Sequence, residues 1–317
     1  MRKYVAQRLL QIPVVLFFIS VIVFSLMHIA PGDPVELMLG DYFTPEDAAK
    51  LRHNLGLDRP LYVQYLSWIW GVTHLDFGNS FHTLQPISEM ILDRAPYTIF
   101  LASLSVAFAL LLAIPIGIVA ARHHNTMVDY TSMVGAMFGI SIPNFALAVL
   151  LILILAVWMD LLPISGPGDP LNDPIGSIRY YVMPVIALGT AQLALISRML
   201  RSSLLEVLNQ DYVRTARSKG LSEQNILYRH ALKNALAPVI TIVAISFAQA
   251  LGGSISMEFV FGLPGLGSLI LDAINWKDFP LIQGITFVTA FVFVLANLIA
   301  DLMYALVDPR IRYEGAG

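Results

Sequence analysis

Long runs of apolar residues, each bounded by polar or basic positions, dominate the pattern along this chain. A helix needs about 20 mainly apolar residues to cross the hydrocarbon core of a bilayer. The runs predict six membrane-spanning helices, at residues 9–30, 97–121, 129–158, 180–197, 238–259 and 281–304. The third run contains Pro143, which predicts a kink because proline removes a helical hydrogen bond. The predicted fold class is therefore an all-α membrane protein.

Composition supports one membrane domain over residues 1–317. The chain is 57% hydrophobic and only 13% charged, whereas soluble domains carry roughly 25% charged residues. The net charge of −3 gives no reason to expect a nucleic-acid partner. Cysteine is absent from the sequence, which excludes disulfides, thiol catalysis and cysteine-based metal sites.

The distribution of basic residues predicts the orientation of the spans. Most of the 19 Lys and Arg residues fall at the N-terminus, in the even-numbered loops and at the C-terminus. Cytoplasmic loops carry an excess of Lys and Arg, so both termini are expected to be cytoplasmic. Met1-Arg2-Lys3 before an apolar run could also begin a signal peptide. The run is longer than a usual signal core, which favours an uncleaved first span.

Residues 31–96 form an external segment that is too long for a simple turn. Thr44 followed by Pro45 and two acidic residues predicts a helix start, and Gly56 predicts its end. A second helix is predicted over residues 61–70, with Tyr62, Tyr65, Trp68 and Trp70 suited to the membrane interface. The segment could be a lid packed on the bundle or a platform for an external partner.

The inner loop, residues 198–238, is the most polar part of the second half of the chain. Helical spacing of apolar residues predicts one helix from Ser202 to Lys219, ended by Gly220. Ser222 is then expected to cap a second helix that reaches Pro238. Physics alone leaves three interpretations of this loop: a docking surface, a membrane-surface helix held by anionic lipid, or a loop that merely obeys the positive-inside rule.

Sites for nucleotide or metal chemistry are not evident. No Gly-Lys dipeptide occurs, so the chain lacks the lysine of a phosphate-binding P-loop. Residues 160–178 are rich in proline and glycine and predict irregular chain. The glycine-rich stretch at residues 262–267 predicts a turn that caps the fifth span.

Polar residues inside membrane spans are costly, and they are therefore candidates for a translocation path. Asp301 is interpreted as the only clearly intramembrane carboxylate, which argues against a proton or sodium symporter. Hydrogen bonding between helices is an equally valid explanation for each polar residue. The candidate path residues are Asn144, Gln192, Gln249, Asn297 and Asp301, with His28 a further polar position.

Two motifs in the inner loop closely resemble the peptide-type ABC importer permeases, the membrane subunits of dipeptide, oligopeptide, glutathione and nickel uptake systems. They are Ala216-Arg217-Ser218-Lys219-Gly220-Leu221 and His230-Ala231-Leu232-Lys233-Asn234-Ala235-Leu236-Ala237-Pro238. Three further motifs stand in the family's order: Pro31-Gly32-Asp33-Pro34, Pro264-Gly265-Leu266-Gly267 and Asp308-Pro309-Arg310-Ile311-Arg312. The first of these and the long external segment resemble the first of the two paired permeases.

The resemblance implies a type I importer bundle in the bacterial inner membrane that forms half of an alternating-access path for di- or oligopeptides. It implies no cofactor or enzymatic activity on this chain. The implied partners are a second homologous permease, two ATPase subunits that hold ATP and Mg²⁺, an extracytoplasmic solute-binding protein and membrane lipid. The residues implied to couple to the ATPase are Arg214, Thr215, Ala216, Arg217, Lys219, Gly220, Leu221 and Ser222.

The chain departs from the general importer pattern at one position. That pattern has Glu-Ala-Ala before the glycine, whereas this chain has Arg214-Thr215-Ala216. No salt bridge is therefore inferred from the generic glutamate. Nickel chelates, glutathione or another small solute remain alternative substrates. A gradient-driven secondary transporter and a non-transporting scaffold remain alternative functions.

Overall fold

Helices make up every named element in the part of the chain that the structure describes. The computed structural model describes residues 2–29, 35, 39, 44–166 and 168–307. The helices are α1 (Arg2–Ile29), α2 (Pro45–Asn54), α3 (Leu61–Thr73), α4 (Ile87–Arg122), α5 (Met127–Ser141), α6 (Asn144–Trp158), α7 (Pro174–Leu208), α8 (Asp211–Ser218), α9 (Glu223–Phe261), α10 (Leu266–Asn275) and α11 (Phe279–Val307). The motifs at residues 31–34 and 308–312 lie outside the described residues.

The predicted six spans correspond to five long apolar helices and one broken span. Helices α1, α4, α7, α9 and α11 are long and apolar enough to cross a membrane, whereas α5 and α6 form a pair bent by 97°. The kink predicted at Pro143 is thus a complete break. Ile142 has extended dihedrals, φ −87° and ψ 122°, as expected for a residue before proline. The second half of α6, Ile152–Trp158, is a π-helix.

Three spans begin well before the apolar runs that predicted them: α4 at Ile87, and α7 and α9 as follows. Helix α7 begins at Pro174, where the side chain of Asp173 accepts a hydrogen bond from the backbone N–H of Gly176. The irregular segment predicted to reach residue 178 therefore ends earlier. Helix α9 begins at Glu223 and passes through Pro238, which lies inside the helix instead of starting it. Polar, glycine or proline residues interrupt the apolar pattern in these extensions, so hydropathy alone gives no signal for them.

Helices α4 and α7 approach closely at two glycines. A Cβ atom on Gly189 would lie 2.9 Å from the carbonyl oxygen of Ser105, and one on Gly117 would lie 3.0 Å from that of Ser197. Small residues at such positions allow helix backbones to pack closely in a membrane. The pair forms the centre of the bundle, which buries Leu101 and Leu200 completely.

The two helices between α1 and α4 follow the predicted local signals. Thr44 and Asp47 form a capping box at the start of α2, and the hydrogen bonds from Thr44 lower the pKa of the Asp47 carboxyl. Gly56 has φ +68° just beyond the end of α2. Trp68 of α3 contacts the rings of Phe24 and Phe287, so α3 packs on α1 and α11.

The two ends of the bundle have different structures. The end that carries α8 is called the loop end, and the end that carries α10 is called the opposite end. Gly262 ends α9 with φ +63°, as a turn-forming cap requires. Helix α10 follows this turn. The sequence predicted the turn over residues 262–267 but no helix after it. Its ten residues are too short to predict as a span.

Candidate functional site

The inner-loop helix predicted from Ser202 to Lys219 is two helices in the structure. Helix α7 ends at Leu208, and α8 begins at Asp211. Between them, the side-chain amide of Asn209 donates to the carbonyl oxygen of Leu205 at 2.9 Å. This bond competes with the helical backbone for an acceptor, as asparagine commonly does at helix ends. The prediction of one helix was wrong because the apolar spacing continued across the break.

Gly220 ends α8 in a Schellman motif. Its backbone N–H donates to the carbonyl of Arg217 at 2.9 Å, and that of Leu221 donates to the carbonyl of Ala216 at 3.3 Å. Gly220 has φ +79°, and a Cβ placed on it would meet no atom within 4 Å. The position therefore requires glycine for its backbone conformation and not for lack of space.

A salt bridge spans the turn at Gly220. The Nε atom of Arg217 lies 2.8 Å from Oε1 of Glu223, and this bond raises the pKa of the arginine. Ser222 caps α9 as predicted, accepting from the backbone N–H of Asn225 at 3.4 Å. The glutamate that pairs with arginine in this loop thus follows the glycine, whereas the general importer motif has its glutamate before it.

A small apolar core holds α8 against the start of α9. Val213, Ala216 and Ile226 are buried together, and Leu208 packs against them. On the other side of α8, the Nδ2 of Asn234 donates to the hydroxyl of Tyr212 at 2.7 Å. Apolar packing and a hydrogen bond thus both hold α8 against α9.

The remaining face of α8 is exposed to solvent. Ala216 is the one predicted coupling residue that does not lie on this face, because its side chain is only 8% exposed and belongs to the small core. The predicted coupling residues that are exposed are Arg214, Thr215, Arg217, Lys219, Gly220, Leu221 and Ser222. The structure therefore brings all eight predicted residues into one short ridge, basic on its outside and anchored on its inside.

A buried ion pair joins the broken span to α7 near the loop end. Nη2 of Arg201 lies 2.6 Å from Oδ2 of Asp129, which is buried. Nδ1 of His124 lies 3.1 Å from the same oxygen. In the sequence, Asp129 stands at the start of the third apolar run and Arg201 stands just after the fourth. An acidic residue at the start of one apolar run and a basic residue near the end of another were the signal for a pair.

Three of the five predicted path residues line one cleft of about 220 Å³. Asn144 stands at the start of α6, Gln192 near the middle of α7 and Gln249 on α9. Asn297 does not line this cleft, and its side chain donates to the carbonyl of Phe293 in its own helix at 2.9 Å. Asp301 belongs to α11, but its side chain lies outside the described part of the chain.

A buried carboxylate at the opposite end corrects one expectation. Glu258 of α9 is fully buried, so Asp301 is not the only carboxylate within the predicted spans. Glu258 accepts from the hydroxyl of Thr98 at 2.7 Å and from the backbone N–H groups of Gly267 and Ser268 at 2.7 and 3.0 Å. The carboxyl group thus lies at the N-terminus of α10, where it is an acceptor for backbone N–H groups of the first turn.

No group of three or more His, Cys, Asp or Glu side chains in the described ranges is placed to hold a metal ion. Nor does the described loop end carry a glycine-rich phosphate loop, since Gly220 is followed by Leu221 and Ser222 and not by the lysine of such a loop. What the ridge offers chemically is a rigid, basic and exposed surface.

Comparison with known families gives two matches that together span most of the chain. Residues 113–313 match the model of the binding-protein-dependent transport system inner membrane component. Residues 1–102 match the N-terminal model of membrane components of the same transport systems.

Several full-length relatives are about equally similar. The oligopeptide transport system permease protein AppB of Bacillus subtilis is 39% identical over 317 residues, covering 99% of this chain and 100% of the relative. The dipeptide permease protein DppB of Alkalihalophilus pseudofirmus is 40% identical over 333 residues, with the same coverage of both chains. The glutathione permease protein GsiC of Salmonella choleraesuis is 40% identical over 314 residues, again covering 99% of this chain and 100% of the relative.

Among solved structures, an inward-facing form of the MetNI methionine ABC transporter is similar in fold. The TM-score is 0.57 at 17% sequence identity, and the match covers 69% of this chain and 96% of that one. At this identity the likeness concerns the fold alone.

Proposed function

Because this chain belongs to the family of binding-protein-dependent transport system inner membrane components and is a peptide-type ABC importer permease, we propose that its cargo is di- and oligopeptides. The observation that carries this proposal is the full-length similarity to permeases named for oligopeptide and dipeptide transport, at 39% and 40% identity. The chain is a multi-pass inner-membrane protein and a transport subunit, not an enzyme.

The ridge at the loop end is proposed to bind one ATPase subunit. A second ATPase subunit would bind the second permease in the same way. ATP and Mg²⁺ would be held by those subunits. The ridge is suited to this role because Val213, Ala216 and Ile226 fix α8 to α9. A rigid element can pass a displacement into the membrane, whereas a mobile loop would absorb it. The loop end and both termini are then cytoplasmic, as the basic residues predict.

The opposite end is proposed to face the extracytoplasmic solute-binding protein. Helices α2, α3 and α10 stand there, and Trp70 and Leu66 of α3 remain exposed. A second homologous permease, either a paralogue or another copy, would complete the path. The path itself is proposed to include the cleft formed by Asn144, Gln192 and Gln249, with Asn297 and Asp301 on α11 as further candidates.

Glutathione is a second candidate cargo. It is itself a short peptide, and the permease named for it in Salmonella choleraesuis is as similar as the dipeptide permease. Transport driven by an ion gradient alone is not favoured, because the family to which the chain belongs depends on a binding protein.

Purification from the native membrane in mild detergent tests the proposed assembly. Mass spectrometry should find an ATPase and a second permease in stoichiometric amounts with this chain. The purified complex, reconstituted in vesicles with its binding protein, should accumulate labelled tripeptides only when ATP is supplied. A chain that purifies alone and transports with an ion gradient would contradict the proposal.

A further inference from the structure

The cleft beside the broken span has an unusual polar lining for a site within apolar helices. Its three polar side chains, those of Asn144, Gln192 and Gln249, are all uncharged amides, and the rest of its lining is aliphatic. Gln249 is exposed on the surface of the bundle. An exposed amide at membrane depth is costly against lipid, so this surface is expected to face water or another subunit.

The side chain of Gln192 gives the cleft a hydrogen-bond acceptor that has no donor. The residue is only 6% exposed, and its Oε1 atom has no hydrogen-bond partner among the residues that the structure describes. A buried acceptor without a partner costs free energy, so such atoms commonly mark a missing ligand or functional state. The group that would satisfy Oε1 is a hydrogen-bond donor such as an amide N–H.

The start of α6 supplies the complementary chemistry. Pro143 precedes the helix and no side chain caps it. The backbone N–H groups of Ala146 and Leu147 donate to the carbonyl of Pro143, which leaves those of Asn144 and Phe145 at the break. A helix N-terminus carries partial positive charge and favours carbonyl or carboxylate oxygens. Broken membrane helices use their ends in this way in other transporters.

We propose that this cleft is a binding subsite for the main chain of a peptide in transit, an inference that rests on the proposed function. A peptide N–H donates to Oε1 of Gln192. A peptide carbonyl or the C-terminal carboxylate accepts from the α6 N-terminus and from the NH₂ groups of Asn144 and Gln249. Amides carry no net charge, so the subsite binds the feature that all peptides share and does not select side chains by charge.

The test uses uptake of trialanine, trilysine and triglutamate by the complete complex in vesicles. Gln192→Leu keeps the size of the side chain but removes its hydrogen bonds. We expect uptake to fall about tenfold, the effect of losing roughly one well-placed hydrogen bond. The fall should be the same, within about twofold, for every tripeptide that the wild-type complex transports.

Gln283→Leu is the matched control. Gln283 is 5% exposed and also has an unpartnered amide atom, but it does not line the cleft. Its replacement should leave uptake at the wild-type rate. Gln249→Leu, at an exposed position where folding is not at risk, provides a second cleft variant that should also slow uptake. Co-purification of the ATPase verifies that each variant complex has assembled.

The possible outcomes distinguish a failure of the proposed subsite from a failure of the proposed function. Wild-type uptake by both cleft variants would overturn the subsite, and so would a loss confined to tripeptides of one charge. An equal loss in Gln283→Leu would also overturn it, since a general packing defect would then explain the result. A wild-type complex that transports none of the peptides would overturn the proposed function instead.

Discussion

Arg201 of α7 and Asp129 of α5 form a buried pair, with Nη2 and Oδ2 separated by 2.6 Å. The side chain of Asp129 is 2% exposed and that of Arg201 is 18% exposed. The pair ties the first half of the broken span to the helix that leads into the ridge. The pair therefore connects the helix that leads into the ridge with α5, whose Ile140 lines the cleft.

Replacing Asp129 by Ala should destabilise the protein strongly, because Arg201, whose side chain is only 18% exposed, would lose its carboxylate partner. Breaking such a pair typically costs about 3–5 kcal/mol. Thermal unfolding in detergent measures the effect. Asp58→Ala is the matched control, since Asp58 pairs with His53 at an exposed site and should change the midpoint little. Equal midpoints for both variants would show that the buried pair does not stabilise the bundle.

Gly220→Val should impair transport without preventing membrane insertion. A β-branched residue at φ +79° is strained by about 1–2 kcal/mol, which disfavours the Schellman motif. Gly220→Pro, which fixes φ near −65° and lacks the N–H donor, should abolish uptake. Gly56→Val imposes a similar strain at φ +68° in the segment between α2 and α3. Uptake is the measurement, and if Gly56→Val impaired it as much as Gly220→Val, a special coupling role for Gly220 would be contradicted.

The bond between Arg217 and Glu223 should matter more for transport than for stability. The side chains are 44% and 66% exposed, and exposed pairs contribute about 0–1 kcal/mol. Arg217→Ala should therefore leave the unfolding midpoint within a few degrees while uptake falls severalfold. The double variant Arg217→Glu with Glu223→Arg should restore the salt bridge across the turn. It should not restore the positive charge at position 217 of the ridge. Full uptake by the exchanged variant would mean that the bridge matters and the sign of the surface charge does not.

The carboxylate of Glu258 should be required at the opposite end. Glu258→Leu leaves the hydroxyl of Thr98 and the N–H groups of Gly267 and Ser268 without an acceptor. Each buried unsatisfied group costs about 1–3 kcal/mol, so the variant should be recovered in low yield or unfold at a much lower temperature. Glu46→Leu, at an exposed position of α2, is the control. A normal midpoint for Glu258→Leu would contradict the role assigned to this carboxylate.

Features that depend on a few neighbouring residues could be predicted from the sequence. The cap at Thr44, the helix end at Gly220 and the cap at Ser222 were all confirmed, because each rests on local backbone chemistry. The six apolar runs likewise correspond to the five long helices and the bent pair, since membrane thickness sets their length.

Features that depend on contacts distant in sequence could not be predicted. The separation of α7 from α8 interrupts an apolar spacing that continues through Leu208 and Tyr212. Thr98 and Glu258 are brought together only by the packing of α4 on α9. Asn144, Gln192 and Gln249 were identified singly as polar residues in apolar runs, but their common cleft depends on the 97° bend. No local pattern specifies the angle of that bend.

Single-cysteine cross-linking tests the central claim, that the α8 ridge engages an ATPase, most directly. The chain has no native cysteine, so each introduced thiol is unique in this subunit. Thr215→Cys and Lys219→Cys lie on the exposed ridge, Asn125→Cys lies in the other loop at the same end, and Thr73→Cys lies at the opposite end. A short thiol-to-amine cross-linker should join the ridge variants to the ATPase, with yields that change when ATP is added. Cross-links from Asn125→Cys with none from the ridge would contradict the account.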